Sequence, residues 1–153
     1  MRRIKKDSFL LAMLILLSPA IASSFCYDEA ANRYNINPQL LKAIALSETG
    51  ENPSLINLNK NGSLDFGLMQ INSSWIEIMN LDKQALLSDP CYNVMVGAAI
   101  LKYCIQRHGY TWEAIGCYNA KNKLKRISYS WKVYRTLLRL KKSETITTKK
   151  EPN

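Results

Sequence analysis

From residue 26 onward, apolar positions recur at helical spacing through most of the chain. CYDEAANRYN, residues 26–35, reads as a short amphipathic helix. A second start follows at Asn37, a good capping residue, with Pro38 at the first helical position, where its missing N–H leaves no bond unmade. Leu41, Ile44, Ala45 and Glu48 then fall at i, i+3, i+4 and i+7 and share one face, and Thr49-Gly50 should end the helix. NVMVGAAILKYCIQRHG, residues 93–109, puts Val94, Gly97, Ala98, Leu101, Cys104 and Ile105 on one stripe and stops at Gly109. TWEAIGCYN makes a second arm after the HGY turn, and LKRISYSWKVYRTLLRL, residues 124–140, a last helix.

The period changes in between. NPSLINLNKNGSLDFG, residues 52–67, is rich in Asn, Gly and Ser with alternating apolar residues, which predicts loops and a small β-hairpin turning at NKNGS. LMQINSSWIEIM reads as a turn leading into a short helix. The expected fold is therefore mainly α, of the α+β kind: a helical domain with a small loop/β-hairpin region. No repeat and no linker divides it, so residues 23–142 are expected to form one domain. Residues 143–153 are polar and charged and are expected to be a disordered tail.

Residues 1–22 look unlike the rest. MRRIKKDS is a basic start, FLLAMLILL an apolar run, and SPAIAS offers a helix-breaking proline and an Ala-x-Ala cleavage site at residues 20–22. This is the layout of a secretory signal peptide. The apolar run is shorter than the roughly 20 residues that span a bilayer, so no stable membrane anchor is expected after cleavage. A lipid-anchored start is disfavoured because Phe25, not a small residue, precedes Cys26. In a Gram-negative cell the mature chain would be periplasmic.

Export changes the meaning of charge and cysteine. Without residues 1–22 the chain has 17 basic and 11 acidic residues, a net charge of about +6. Acidic partners such as a wall polymer or a membrane surface are favoured, and nucleic acid is a poor fit for an exported protein. Four cysteines, Cys26, Cys91, Cys104 and Cys117, argue for two disulfides, with three pairings possible. Zinc is the rival, but no Cys-x-x-Cys exists and His108 is the one histidine, so no metal and no cofactor are expected. An antiparallel helix pair around the HGY turn would join Cys104 to Cys117 and leave Cys26 for Cys91.

Glu48 is the residue whose placement points to chemistry. A carboxyl on the apolar face of its helix is desolvated, which disfavours the charged form. It also lies near the helix C-terminus, where the macrodipole opposes an anion. Both effects raise its pKa, as a general acid at neutral pH requires. The plain alternative is a surface glutamate at a fraying helix end.

LLKAIALSETG, followed by DFGLMQIN and then GCYNA, resembles the lytic transglycosylases of the soluble-lytic type, and the likeness runs from about residue 26 to residue 140. The size, the leader and the Cys26/Cys91 pair look most like the invasion-associated members that accompany type III secretion systems. The resemblance implies a lysozyme-like fold whose groove binds peptidoglycan glycan strands, with the hairpin region beside it. It makes Glu48 the single catalytic acid/base and Gln70 a groove-lining residue. Met69 would pack beneath a sugar, Tyr118 and Asn119 would approach the catalytic carboxyl from the other side, and Tyr129 would hydrogen-bond near it. Met69 and Tyr129 also suit a plain core role. Three features depart from the family pattern: Thr49 stands where serine is usual, Cys117 replaces the small residue before Tyr-Asn, and Lys121 and Asn122 occupy the place of a glycine after Tyr-Asn-Ala.

Asp65 lies seventeen residues beyond Glu48. NKNGSLDFGLMQINSSW also resembles the c-type lysozymes, in which a second catalytic aspartate occupies this place; Asn59, Asn61, Gly62, Ser63 and Trp75 fit the same pattern. Glycoside hydrolases normally use two carboxyl groups roughly 5–10 Å apart, so Asp65 is either a helper to Glu48 or a turn aspartate that caps backbone. The resemblance thus implies cleavage of the MurNAc-GlcNAc β-1,4 bond with a 1,6-anhydro product, opening the wall for a secretion apparatus, with a periplasmic component of that apparatus as a possible partner. The alternatives are lysozyme-like hydrolysis of the same bond, a non-catalytic wall-binding or assembly protein, and a small cationic membrane-active protein.

Overall fold

A computed structural model describes residues 25–148. The leader at 1–22 lies outside the described residues, as does the end of the tail. In chain order the elements are α1 (Tyr27–Tyr34), α2 (Pro38–Thr49), β1 (Ile56–Leu58), β2 (Leu64–Phe66), β3 (Ile71–Asn72), α3 (Ser73–Met79), α4 (Ala85–Ser88), α5 (Pro90–His108), α6 (Trp112–Asn119) and α7 (Lys123–Thr148). The mainly helical α+β architecture matches the sequence reading.

Helix α2 forms as its sequence dictates. The Asn37 side chain accepts the Gln39 N–H at 2.8 Å, Pro38 occupies the first turn, and Gly50 closes the helix at φ +65°. Its apolar face buries Leu41, Ile44 and Ala45 completely. They pack into one core with Leu68 and Met69 from the loop after β2, Val94, Ala98 and Leu101 from α5, and Val133 from α7. Each of the leucine, isoleucine, valine and methionine side chains among them contributes about 1.5–3 kcal/mol on burial. Helix α5 is buried on more than the predicted stripe, because Val96 and Ile100 are enclosed as well.

The hairpin turns at the expected place. The Asn59 N–H donates to the Ser63 carbonyl at 2.8 Å, and Gly62 takes φ +82° and donates to the Asn59 carbonyl at 2.9 Å. Antiparallel pairing then sets Asn57 opposite Asp65, and Asp65 opposite Asn72 on β3. The residue after Asp65, Phe66, turns inward and is 1% exposed.

Asn93 is a polar residue at the centre of this packing. It is fully buried, accepts the Met69 N–H at 2.8 Å, and donates to the carbonyls of Phe66 and Leu86 at 2.9 Å each. One side chain thus satisfies three buried backbone groups, from β2, the loop after it and α4. Gly97 lets that loop approach α5: a Cβ there would lie 2.5 Å from the Met69 sulfur.

The disulfides are Cys26–Cys91, joining the start of α1 to α5, and Cys104–Cys117, joining α5 to α6. This is the pairing expected from the antiparallel helix arms. The tail differs from expectation: α7 continues to Thr148, so residues 143–148 are helical rather than disordered. A helix already nucleated by packing extends through polar residues at little further cost, and Gln39 on α2 donates to Glu144 at 2.6 Å. No helix among the described residues is long and apolar enough to cross a membrane.

Candidate active site

Glu48 occupies the last turn of α2, one turn beyond Ile44 and Ala45 on the buried face, and its side chain reaches the floor of a groove of about 1310 Å³. Its Oε1 accepts the Tyr129 hydroxyl of α7 at 2.5 Å. Burial is the dominant influence and pushes its pKa up. The Tyr129 hydrogen bond and the positive charge of Lys132 oppose that shift, and the negative charge of Asp65 adds to it. The net result is a carboxyl that holds its proton more tightly than an ordinary glutamate.

Two tyrosines form the wall behind it. Tyr118 and Tyr129 stack with centroids 6.4 Å apart and planes 20° from parallel. Burial, then the nearby carboxylates, raises both phenols well above their ordinary value, so both stay protonated donors. Tyr118 donates to the Met69 carbonyl at 2.8 Å, tying α6 to the loop after β2. Asn119, the next residue, is exposed at the groove edge.

Asp65 lies in the middle of β2 and lines the same groove. Asn59 donates to its Oδ2 at 2.8 Å and Asn72 to its Oδ1 at 2.6 Å, and both amides also reach the Ser63 hydroxyl at 3.1 Å. The hairpin turn and β3 therefore fix both oxygens of this carboxyl in one orientation. It does not cap the backbone that follows it.

The loop between β2 and β3 is held through both side chain and backbone. Gln70 takes φ +50°, donates to the carbonyls of Gly67 and Leu55 at 2.8 and 3.2 Å, accepts from Asn57 at 2.5 Å, and lines the groove. Thr49 keeps a useful hydroxyl, which donates to the Leu68 carbonyl at 2.9 Å and accepts the Asn52 N–H at 3.0 Å. Met69 departs from the expectation that it packs beneath a sugar. It is fully buried against Gly97 and is not among the residues lining the groove; its N–H donates to Asn93 and its carbonyl accepts from Tyr118.

Sequence reasoning missed Asn93 and Lys132. The signal for Asn93 was present, since an asparagine at the start of an otherwise apolar helical run needs a reason to be buried. Among the described residues one cluster of possible metal ligands occurs, Cys26, Glu29 and Cys91, and its two sulfurs are joined in a disulfide. That leaves a single carboxylate, too few donors to hold an ion. A smaller apolar hollow of about 390 Å³, lined by Trp112, Trp131 and Tyr134, lies on the α6–α7 face and holds none of the site residues.

What the arrangement offers is one proton-holding carboxyl, one oriented aspartate and two phenol donors along an open groove. Comparison with known proteins identifies the family. The Transglycosylase SLT domain family matches residues 25–130. Protein IpgF of Shigella flexneri is 41% identical over 135 residues, covering 84% of this chain and 89% of that protein. Invasion protein IagB of Salmonella typhimurium (strain SL1344) is 39% identical over 140 residues, covering 87% and 88%. A peptidoglycan-binding-like protein of Escherichia coli O157:H7 is 37% identical over 141 residues, covering 83% and 84%. A match of this extent means that the chain belongs to the SLT transglycosylase family of peptidoglycan-cleaving lytic transglycosylases.

Proposed function

We propose that Glu48 carries out both proton transfers of the reaction. As the acid it protonates the glycosidic oxygen, and the bond from that oxygen to C1 of N-acetylmuramic acid breaks, freeing the 4-hydroxyl of N-acetylglucosamine. As the carboxylate it then takes the proton of the muramoyl 6-hydroxyl, whose oxygen bonds to C1 and closes the 1,6-anhydro ring. Glu48 ends protonated, as it began, and no water is consumed. Asp65 supports the positive charge that develops at C1, and Gln70, Tyr118 and Asn119 shape the groove around the sugars. The observation that carries this reading is the buried, Tyr129-bonded carboxyl on the floor of the groove.

One observation favours a second reading. The anchoring of Asp65 by two asparagines gives the site the pair of carboxyls that a hydrolase uses. Water would then replace the 6-hydroxyl at C1. Mass spectrometry of the muropeptides separates the two: anhydro ends support the ring closure, and reducing ends carrying solvent oxygen in their place would overturn it.

The leader-like start of the sequence and the names of the relatives support a setting. An exported enzyme of this size, similar to proteins named for invasion, suits local opening of the wall in the periplasm so that a secretion apparatus can cross, with a component of that apparatus as its partner. Deletion of the gene should reduce assembled apparatus without altering synthesis of its subunits; unchanged assembly would remove this role.

A further inference from the structure

The groove carries a charge pattern that proton transfer does not use. Besides Glu48 and Asp65 its lining includes Lys60, Arg107, Lys121, Lys125 and Arg126. Four of these cations belong to one wall: Arg107 to the last turn of α5, Lys121 to the α6–α7 junction, and Lys125 and Arg126 to the start of α7. The Cys104–Cys117 disulfide holds that wall together. So does Arg126, which donates to the Ala120 carbonyl and to Glu113, each at 2.8 Å. The Arg126–Glu113 contact is the sole ion pair among the described residues. Arg107 lies over the Tyr103 ring and donates to its hydroxyl, and neither it nor the exposed Lys121 and Lys125 forms an ion pair among the described residues.

The lysines also stand where they oppose the stability of their own helix. Asn122 caps α7 by accepting the N–H groups of Leu124 and Lys125 at 3.0 and 3.2 Å. Lys121, Lys123 and Lys125 therefore crowd the positive end of a 26-residue helix that has no acidic residue in its first turn. A bound anion would relieve that repulsion. Lys121 and Asn122 are also the residues that stand where the resemblance leads one to expect glycine.

We propose that Arg107, Lys121 and Lys125 receive the carboxylates of the peptide stems attached to the glycan strand, so that the enzyme selects stem-bearing peptidoglycan. The inference rests on the glycan-cleaving reading of the groove. In a stem-bearing strand the sugars are uncharged, because the lactyl carboxyl of muramic acid is tied up as an amide. The negative charge lies in the stems, on the free carboxylates of their acidic residues and C-terminus. A cationic wall therefore has nothing to gain from the sugars and several partners in the peptide.

The test compares soluble, uncross-linked peptidoglycan strands before and after amidation of their free carboxylates, which removes charge and keeps length and shape. Wild-type kcat/KM is expected to fall about tenfold on amidation, the size expected of a few partly exposed ion pairs, and the preference is expected to shrink as ionic strength rises. The double variant Lys121→Gln/Lys125→Gln should raise KM on native strands with kcat retained and should lose the preference. Its thermal midpoint should be unchanged or higher, since two charges leave the positive end of a helix, and Lys→Arg at both positions should restore the preference. Equal cleavage of both strands by the wild type, or a preference that survives in the double glutamine variant, would overturn the proposal. Failure of the wild type to cut either strand would instead remove the glycan-cleaving reading on which it rests.

Discussion

Tyr129 donates its hydroxyl to Glu48 at 2.5 Å, and across the groove Asp65 acts on the same carboxyl with the opposite sign. The hydrogen bond favours the carboxylate and the aspartate charge disfavours it. Removing each should therefore move the proton-donating range in opposite directions. Tyr129→Phe is expected to shift the alkaline limb of the pH–rate profile upward, and Asp65→Asn to shift it downward, with lower rates in both. Profiles of fragment release against pH would check this; two shifts of the same sign would show that the variants act through packing.

Glu48→Gln should reduce release of soluble fragments by about 10²–10⁴-fold, the usual contribution of a general acid. The same variant should be more stable than the wild type at neutral pH. Because the folded-state pKa of Glu48 is raised, the stability it contributes is fully present below the unfolded-chain pKa and is lost as pH rises through the folded value. Glutamine carries no such penalty. The difference in thermal midpoint should thus be positive at pH 7 and shrink toward zero near about pH 4, where an ordinary carboxyl is largely protonated.

Asn93→Ala is expected to cost about 3 kcal/mol in urea denaturation, because it leaves the Met69 N–H and the Phe66 and Leu86 carbonyls buried without this partner. Activity of the remaining folded protein should fall as well, since the same loop presents the Met69 carbonyl to Tyr118. Gly67→Ala should be at least as damaging: at φ +70° its Cβ would meet the Leu86 carbonyl at 2.4 Å. A stability loss below about 1 kcal/mol for Asn93→Ala would mean that water takes over its three bonds.

The parts of this molecule that were legible in the sequence are those governed by short-range rules. The Asn37-Pro38 cap, the Glu48 face and the Gly62 turn each follow from residues within a few positions of one another. The disulfide arms follow from two helices and one turn. Strand β3 and helix α4 did not, because two and four residues hold no periodic pattern and exist only through what packs on them. Met69 shows the other limit. Its motif marked the loop as a candidate, but which atoms of the loop face inward depends on Gly97 and Asn93, both more than twenty residues away. The extension of α7 was hidden for a related reason: polar composition reads as disorder until a neighbour such as Gln39 is known to lie alongside.

The two disulfides should separate stability from activity. Cys26–Cys91 closes a span of 65 residues and Cys104–Cys117 one of 13, so loop-closure entropy predicts losses of about 4 and about 3 kcal/mol when each pair is replaced by alanine. Position predicts the reverse order for catalysis. Cys26–Cys91 anchors α1 to the start of α5, and neither residue lines the groove. Cys104 and Cys117 both line it, and Cys117 directly precedes Tyr118, whose hydroxyl bonds the Met69 carbonyl. The Cys104→Ala/Cys117→Ala protein should therefore lose more activity per folded molecule while losing less stability than the Cys26→Ala/Cys91→Ala protein. Specific activity measured well below each melting transition decides it, and equal losses per folded molecule would show that the α5–α6 clamp does not position Tyr118.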